Sequence, residues 1–163
     1  HYRDIGVDAS YQFLGNRKNI FSVNIAHIWE KQTLNYDVFA DETDKARQKL
    51  RQLNADISWY HNNSYGLTAG IFRTSGTRDP LLFTPEEDVG SRTGSPTTHG
   101  YMVQADWTPF GKEGSWGAPW ANLRLGIQYT GYSKFNGAKN DYDGFGRNAS
   151  DNNTVMLFSW LSF

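Results

Sequence analysis

The last nine residues, Val155 to Phe163, alternate, with Val155, Leu157, Leu161 and Phe163 on one face and the chain ending on an aromatic ring. Period two is the signature of a strand with two unlike faces. Six earlier segments repeat it. Ile5–Phe13 sets Ile5, Val7, Ala9, Tyr11 and Phe13 against Gly6, Asp8, Ser10 and Gln12. Ile20–Glu30 sets Phe21, Val23, Ile25, His27 and Trp29 against Ser22, Asn24, Ala26 and Ile28. Leu50–Tyr60 sets Leu53, Ala55, Ile57 and Trp59 against Gln52, Asn54, Asp56 and Ser58. Tyr65–Arg73 sets Tyr65, Leu67, Ala69 and Ile71 against Gly66, Thr68 and Gly70. Tyr101–Phe110 sets Tyr101, Val103, Ala105 and Trp107 against Met102, Gln104, Asp106 and Thr108. Ala121–Ser133 sets Leu123, Leu125, Ile127 and Tyr129 against Asn122, Arg124, Gln128 and Thr130. Mid-strand, the apolar face carries no Asp, Glu, Lys or Arg.

A soluble β-sandwich also alternates. Two features favour a membrane barrel. The connections run short and long in turn: 15–18, 35–49, 61–64, 77–99, 111–119 and 136–153. Short periplasmic turns and long extracellular loops give that rhythm. Aromatics also gather at strand ends, where an interfacial girdle needs them. Trp59, Tyr65, Trp107, Trp120 and Phe163 fall at the short-turn level, with Phe13, Tyr60, Phe110 and Trp160. Trp29, Tyr101 and Tyr129 fall at the long-loop level, with Tyr132. The expected fold is therefore all-β, an antiparallel transmembrane β-barrel. With a periplasmic carboxyl terminus, seven strands leave the first running inward too. Bacterial barrels have even strand numbers and periplasmic termini, so the chain reads as the carboxyl-terminal part of one larger barrel, needing strands upstream.

Composition agrees. The 163 residues are 38% hydrophobic and 15% aromatic, and no run approaches the ~20 apolar residues of a membrane helix. A barrel with a polar lumen has such an average, because every second residue avoids lipid. The net charge of −1 argues against nucleic acid as a partner. With no cysteine there is no disulfide, thiolate metal site or CxxCH haem attachment.

The stretches IGVDASYQFLGNRKNIFSVNIAHIWEKQTLNY from Ile5 to Tyr36 and YDGFGRNASDNNTVMLFSWLSF from Tyr142 to Phe163 resemble a known barrel type, as do GYMVQADWTPFGKE from Gly100 and LRLGIQYTGYSKFNGAK from Leu123. They are similar to the barrel region of proteobacterial outer-membrane proteins of the fused cytochrome c–porin type, in which a short haem-bearing segment precedes a porin-like barrel. The resemblance implies a sheath for electron transfer across the outer membrane, with haem c in an upstream segment and a periplasmic electron donor as partner. No haem ligand carries over to this chain, because its CxxCH is absent.

Catalysis is not expected: there is no GxSxG elbow, phosphate cradle or nucleophile–base order. His1, His27, His61 and His99 lack metal-ligand spacing. His27 reads as an interfacial imidazole beside Trp29, and His99 as the better metal candidate of the four. The expected lumen residues are Asp8, Gln12, Asn24, Asn54, Asp56, Gln104, Asp106, Arg124 and Gln128. They would form a hydrated paired lining, a polar channel, or a seat for a plug. Met156, Phe158 and Trp160 would face inward too, packing on a plug or haem edge, unless the register is off by one.

The long loops are acidic: Asp37, Asp41, Glu42 and Asp44; Glu86, Glu87 and Asp88; Asp141, Asp143 and Asp151. Solvated charge is the expectation there, with divalent-cation binding the alternative. Residues 43–54 read either as a helical turn, with Asp44 and Arg47 paired, or as an extension of the third strand. Three functions remain: a solute porin, an insulating sheath for a cytochrome, and a soluble carbohydrate-binding sandwich.

Overall fold

In the computed structural model, residues 1–35, 42–112, 114–117 and 120–163 are described. The strands are β1 (Tyr2–Phe13), β2 (Asn19–Thr33), β3 (Arg47–His61), β4 (Tyr65–Gly76), β5 (Thr98–Trp107), β6 (Asn122–Lys134) and β7 (Thr154–Ser162). They form one antiparallel sheet in sequence order, with β1 and β7 as its edges. The sheet is not closed. Every expected strand is present, and the differences lie at the ends. β3 starts at Arg47, so residues 47–54 follow the strand alternative, while 43–46 are irregular and form no helical turn. β5 ends at Trp107, leaving Phe110 beyond it.

The turns are local chemistry. In the β3–β4 turn, Asn62 and Asn63 both take positive φ, 52° and 53°, and the Ser64 N–H donates to the His61 carbonyl at 3.0 Å. Asn tolerates this left-handed pair, and its twist suits a tight hairpin. In the β1–β2 turn, Asn16 Oδ1 accepts the N–H groups of Lys18 and Asn19.

Register keeps all the alternating apolar residues on one face. One cross-strand row runs Tyr11, Val23, Ile57, Ala69, Val103, Tyr129, Val155. The terminal strand is in the expected register: Met156, Phe158 and Trp160 oppose Gln128, Gly126 and Arg124 on the other face.

Burial is inverted relative to a water-soluble domain. Ile57 is 52% exposed, Ile71 60% and Leu157 76%, whereas Ser58, Thr68 and Asp106 on the polar face are buried. Among the described residues, the buried hydrophobic ones are Leu34, Tyr142 and Ala149, and none lies on the sheet's apolar face. Among the described residues, no apolar core covers either face of the sheet.

Candidate functional site: a polar sheet face with a loop cap

The polar face collects all nine expected lumen residues. Asp8, Gln12 and Asn24 are exposed, toward the β1 edge, and the other six are half-buried or buried. Asn24 Nδ2 donates to Asp56 Oδ2 at 2.9 Å, and Gln128 Nε2 donates to the Thr130 hydroxyl. The Ser58 and Thr68 hydroxyls meet at 2.8 Å.

The charged centre is Asp106. Arg124 donates to it from Nε at 3.1 Å and from a terminal nitrogen at 2.9 Å, and Gln104 adds a third bond. Two glycines make the room. A Cβ at Gly66 would lie 2.5 Å from the Asp106 carboxylate, and one at Gly126 would lie 2.1 Å from the Phe158 ring. Phe158 in turn lies under Arg124, 5.7 Å from guanidinium carbon to ring centroid. Large and small residues thus alternate across β4 to β7, and the bidentate pair is held in place.

Charge is segregated by face. The polar face carries Asp4, Asp8, Glu30, Asp56 and Asp106 against Arg124. Asp4 and Glu30 are direct cross-strand neighbours. Their role escapes an alternation count, because both sit at strand ends where the pattern weakens.

The expected girdle residues Trp29, Trp59, Tyr65, Tyr101, Trp107 and Tyr129 all project from the apolar face. Phe163 follows β7, and Trp120 precedes β6. Tyr101 and Tyr129 stand nearer mid-strand than Trp29, with ring centroids 6.0 Å apart. Tyr60, Tyr132 and Trp160 instead sit on the polar face, in register with Gly66, Gly100 and Arg124. His27 packs on Trp29 at 4.0 Å. His99 has Arg73 and Lys134 as cross-strand neighbours, a cationic setting that repels a metal ion. With His61 they keep to the apolar side.

The acidic loops differ most from expectation. Asp79 was not singled out by any motif, yet it is fully enclosed. Its carboxylate accepts from the Thr43 hydroxyl, the Gln48 amide and the backbone N–H groups of Asp44, Lys45, Leu81 and Leu82. Burial alone would raise its pKa. The hydrogen bonds from Thr43 and from the backbone of Leu82, Asp44 and Leu81 outweigh burial and hold it at about 2.

Asp143 was expected to be solvated but is buried. It accepts from the N–H groups of Asp88, Phe145 and Arg147. Burial pushes its pKa up, and these backbone donors more than reverse that. Asp88 pairs with Arg147, Asp141 pairs with Arg92 at 3.2 Å, and Asp151 caps the short 3-10 turn through the Asn148 N–H. Among the described residues, no cluster with the makings of a metal site occurs. Asp37 and Asp41 lie outside the described residues.

The result is one cap built from three loops. Tyr142 is its buried centre: its hydroxyl donates to the Asp88 carbonyl at 2.7 Å, and its ring meets Phe135 at 4.8 Å. Asn136 donates to the carbonyls of Val89 and Gly90. An aromatic file from Phe72 through Tyr132 and Phe135 to Tyr142 ties the cap to the polar face. Of this, only Asp79 before Pro80 had a local signal, that of an Asx-type turn. The contacts that join the loops to one another, such as Thr43 with Asp79 and Tyr142 with Asp88, link residues dozens of positions apart.

Comparison with protein-family models, with curated proteins and with solved structures gave no match.

Proposed function

We propose that these strands are part of the wall of a porin-like β-barrel in a bacterial outer membrane. The apolar face meets lipid, the polar face lines a lumen, and the cap narrows the long-loop mouth. One observation carries the reading: seven strands expose a continuous apolar face, while β3 to β5 bury polar side chains on the other. A carbohydrate-binding sandwich would cover that face with a second sheet.

The register supports it. In the row from Tyr11 to Val155, Tyr11 lies two residues from the short-turn end of β1, and Val155 lies seven from that of β7. That stagger of five residues is ~17 Å along the strands, over six spacings that span ~29 Å. With the short turns at one membrane surface, the strands tilt by about 30°, close to the ~35–45° of membrane barrels. Closure in lipid requires partners for the β1 and β7 edges, supplied by further strands.

The lumen's surplus of carboxylates favours small cations over anions. In planar bilayers, the full-length protein is expected to show a cation-selective reversal potential, weakened by Asp56→Asn. Absence of conductance from a protein that stays soluble without detergent would overturn the porin reading.

The sheath reading draws on the resemblance to cytochrome–porin fusions, and on the apolar stripe Met156, Phe158 and Trp160, which would seat a companion segment inside the barrel. This chain's own residues do not fit a haem. It has no cysteine for a thioether, and its strand histidines lie on the apolar side. Haem c would have to be held by other residues.

A further inference from the structure

The apolar face ends in a one-signed charged rim. At the long-loop ends of β1 to β4, Arg3, Lys31, Arg47, Lys49, Arg51 and Arg73 project from the same face as Val7, Ile25, Ile57 and Ile71, and all six are exposed. No strand carries an Asp or Glu on that face. Arg3 opposes Lys31, and Lys31 opposes Lys49, in direct cross-strand register. Like charges directly opposite destabilise a sheet. None of the six forms an ion pair among the described residues. Four carboxylates lie on these same strands, all on the other face, so among the described strand residues the rim cations have no counter-charge.

Height identifies the counter-charge. Arg3, Lys31, Lys49, Arg51 and Arg73 lie eight to twelve residues from the short-turn ends of their strands. Ten residues at ~3.4 Å, tilted by about 30°, rise ~29 Å, just beyond the ~25 Å apolar band of an outer-membrane barrel. The rim therefore falls at the headgroup level of the leaflet on the long-loop side. Past the bulge in this pair, β6 sets Lys134 opposite His99 of β5, so β6 adds one cation and the patch is densest on β1–β4.

We propose that this patch binds the phosphate groups of a membrane lipid in the long-loop leaflet, a phosphorylated glycolipid being the fitting class. Two or more phosphates on one headgroup would bridge the opposed cations Arg3, Lys31 and Lys49. The inference rests on the barrel reading above.

The test reconstitutes the full-length protein in phosphatidylcholine nanodiscs with and without lipid A, and counts retained lipid by native mass spectrometry. Retained lipid A is expected, weakened roughly five-fold per charge removed in Lys31→Gln and Lys49→Gln, with Arg78→Gln in the cap as control. Insertion into nanodiscs with no lipid A retained, or retention indifferent to Lys31 and Lys49, would overturn the lipid site while leaving the barrel intact. Displacement of lipid A by inorganic phosphate at modest concentration would assign the patch to free phosphate and also overturn it. Failure to insert into any nanodisc would instead refute the barrel.

Discussion

Residues that look alike in composition do opposite things according to parity. Ile57 and Asn54 are three positions apart on β3 and face opposite sides of the sheet. Charge at the lipid midplane costs roughly 2–4 kcal/mol, whereas a wet lumen tolerates it. Ile57→Arg and Leu125→Arg should therefore destabilise the inserted protein by that amount, and Asn54→Arg and Gln128→Arg by far less. Equal unfolding midpoints for the two pairs in lipid would refute the face assignment. Gly126→Val should be severe, because Phe158 already fills its space; overpacking of this kind costs about 1–3 kcal/mol, and Phe158→Ala should relieve it in a double-mutant cycle. The facing of Asp56, Asp106 and Arg124 was legible from alternation. Their partners were not, because Gly66 and Gly126 gain meaning only once the register is known.

At the scale of elements, strands are local and the cap is not. Period two located every strand, with errors only at ends such as Arg47 and Trp107. The three long loops offer no periodicity, and their bonds link Thr43 to Asp79 and Asp88 to Asp143. Their acidic residues read as solvent-facing for that reason. Asp79→Asn puts an amide donor among six donors, so the cap should loosen while the sheet persists. Amide exchange over residues 77–97 should rise by at least ten-fold with strand protection unchanged. Acid should act similarly. A carboxyl held at about 2, below its ordinary 3.8, stabilises the fold above that ordinary value and loses this contribution as pH falls to 2. Cap protection factors, taken against intrinsic exchange at each pH, should fall between about pH 4 and pH 2, and Asp79→Asn should abolish that step. A cap equally protected at pH 7 and pH 2 would contradict this assignment.

For the whole molecule, the claim is that the chain is inside out: lipid outside, water within. Its legibility came from agreement among seven weak strand patterns, since no single ten-residue alternation tells a barrel from a sandwich. The open edges at β1 and β7 and the rim of uncompensated cations emerge only when the strands are laid in register. The most direct test is solvent access to each face in a bilayer. The chain has no cysteine, so single substitutions report cleanly. Ile57→Cys and Ile71→Cys, spin-labelled in the full-length protein in liposomes, should collide with oxygen dissolved in lipid and be shielded from a water-soluble nickel chelate. Asn54→Cys and Gln104→Cys should show the reverse. Chelate access at Ile57 and Ile71 matching that at Asn54 and Gln104 would contradict the account at its centre.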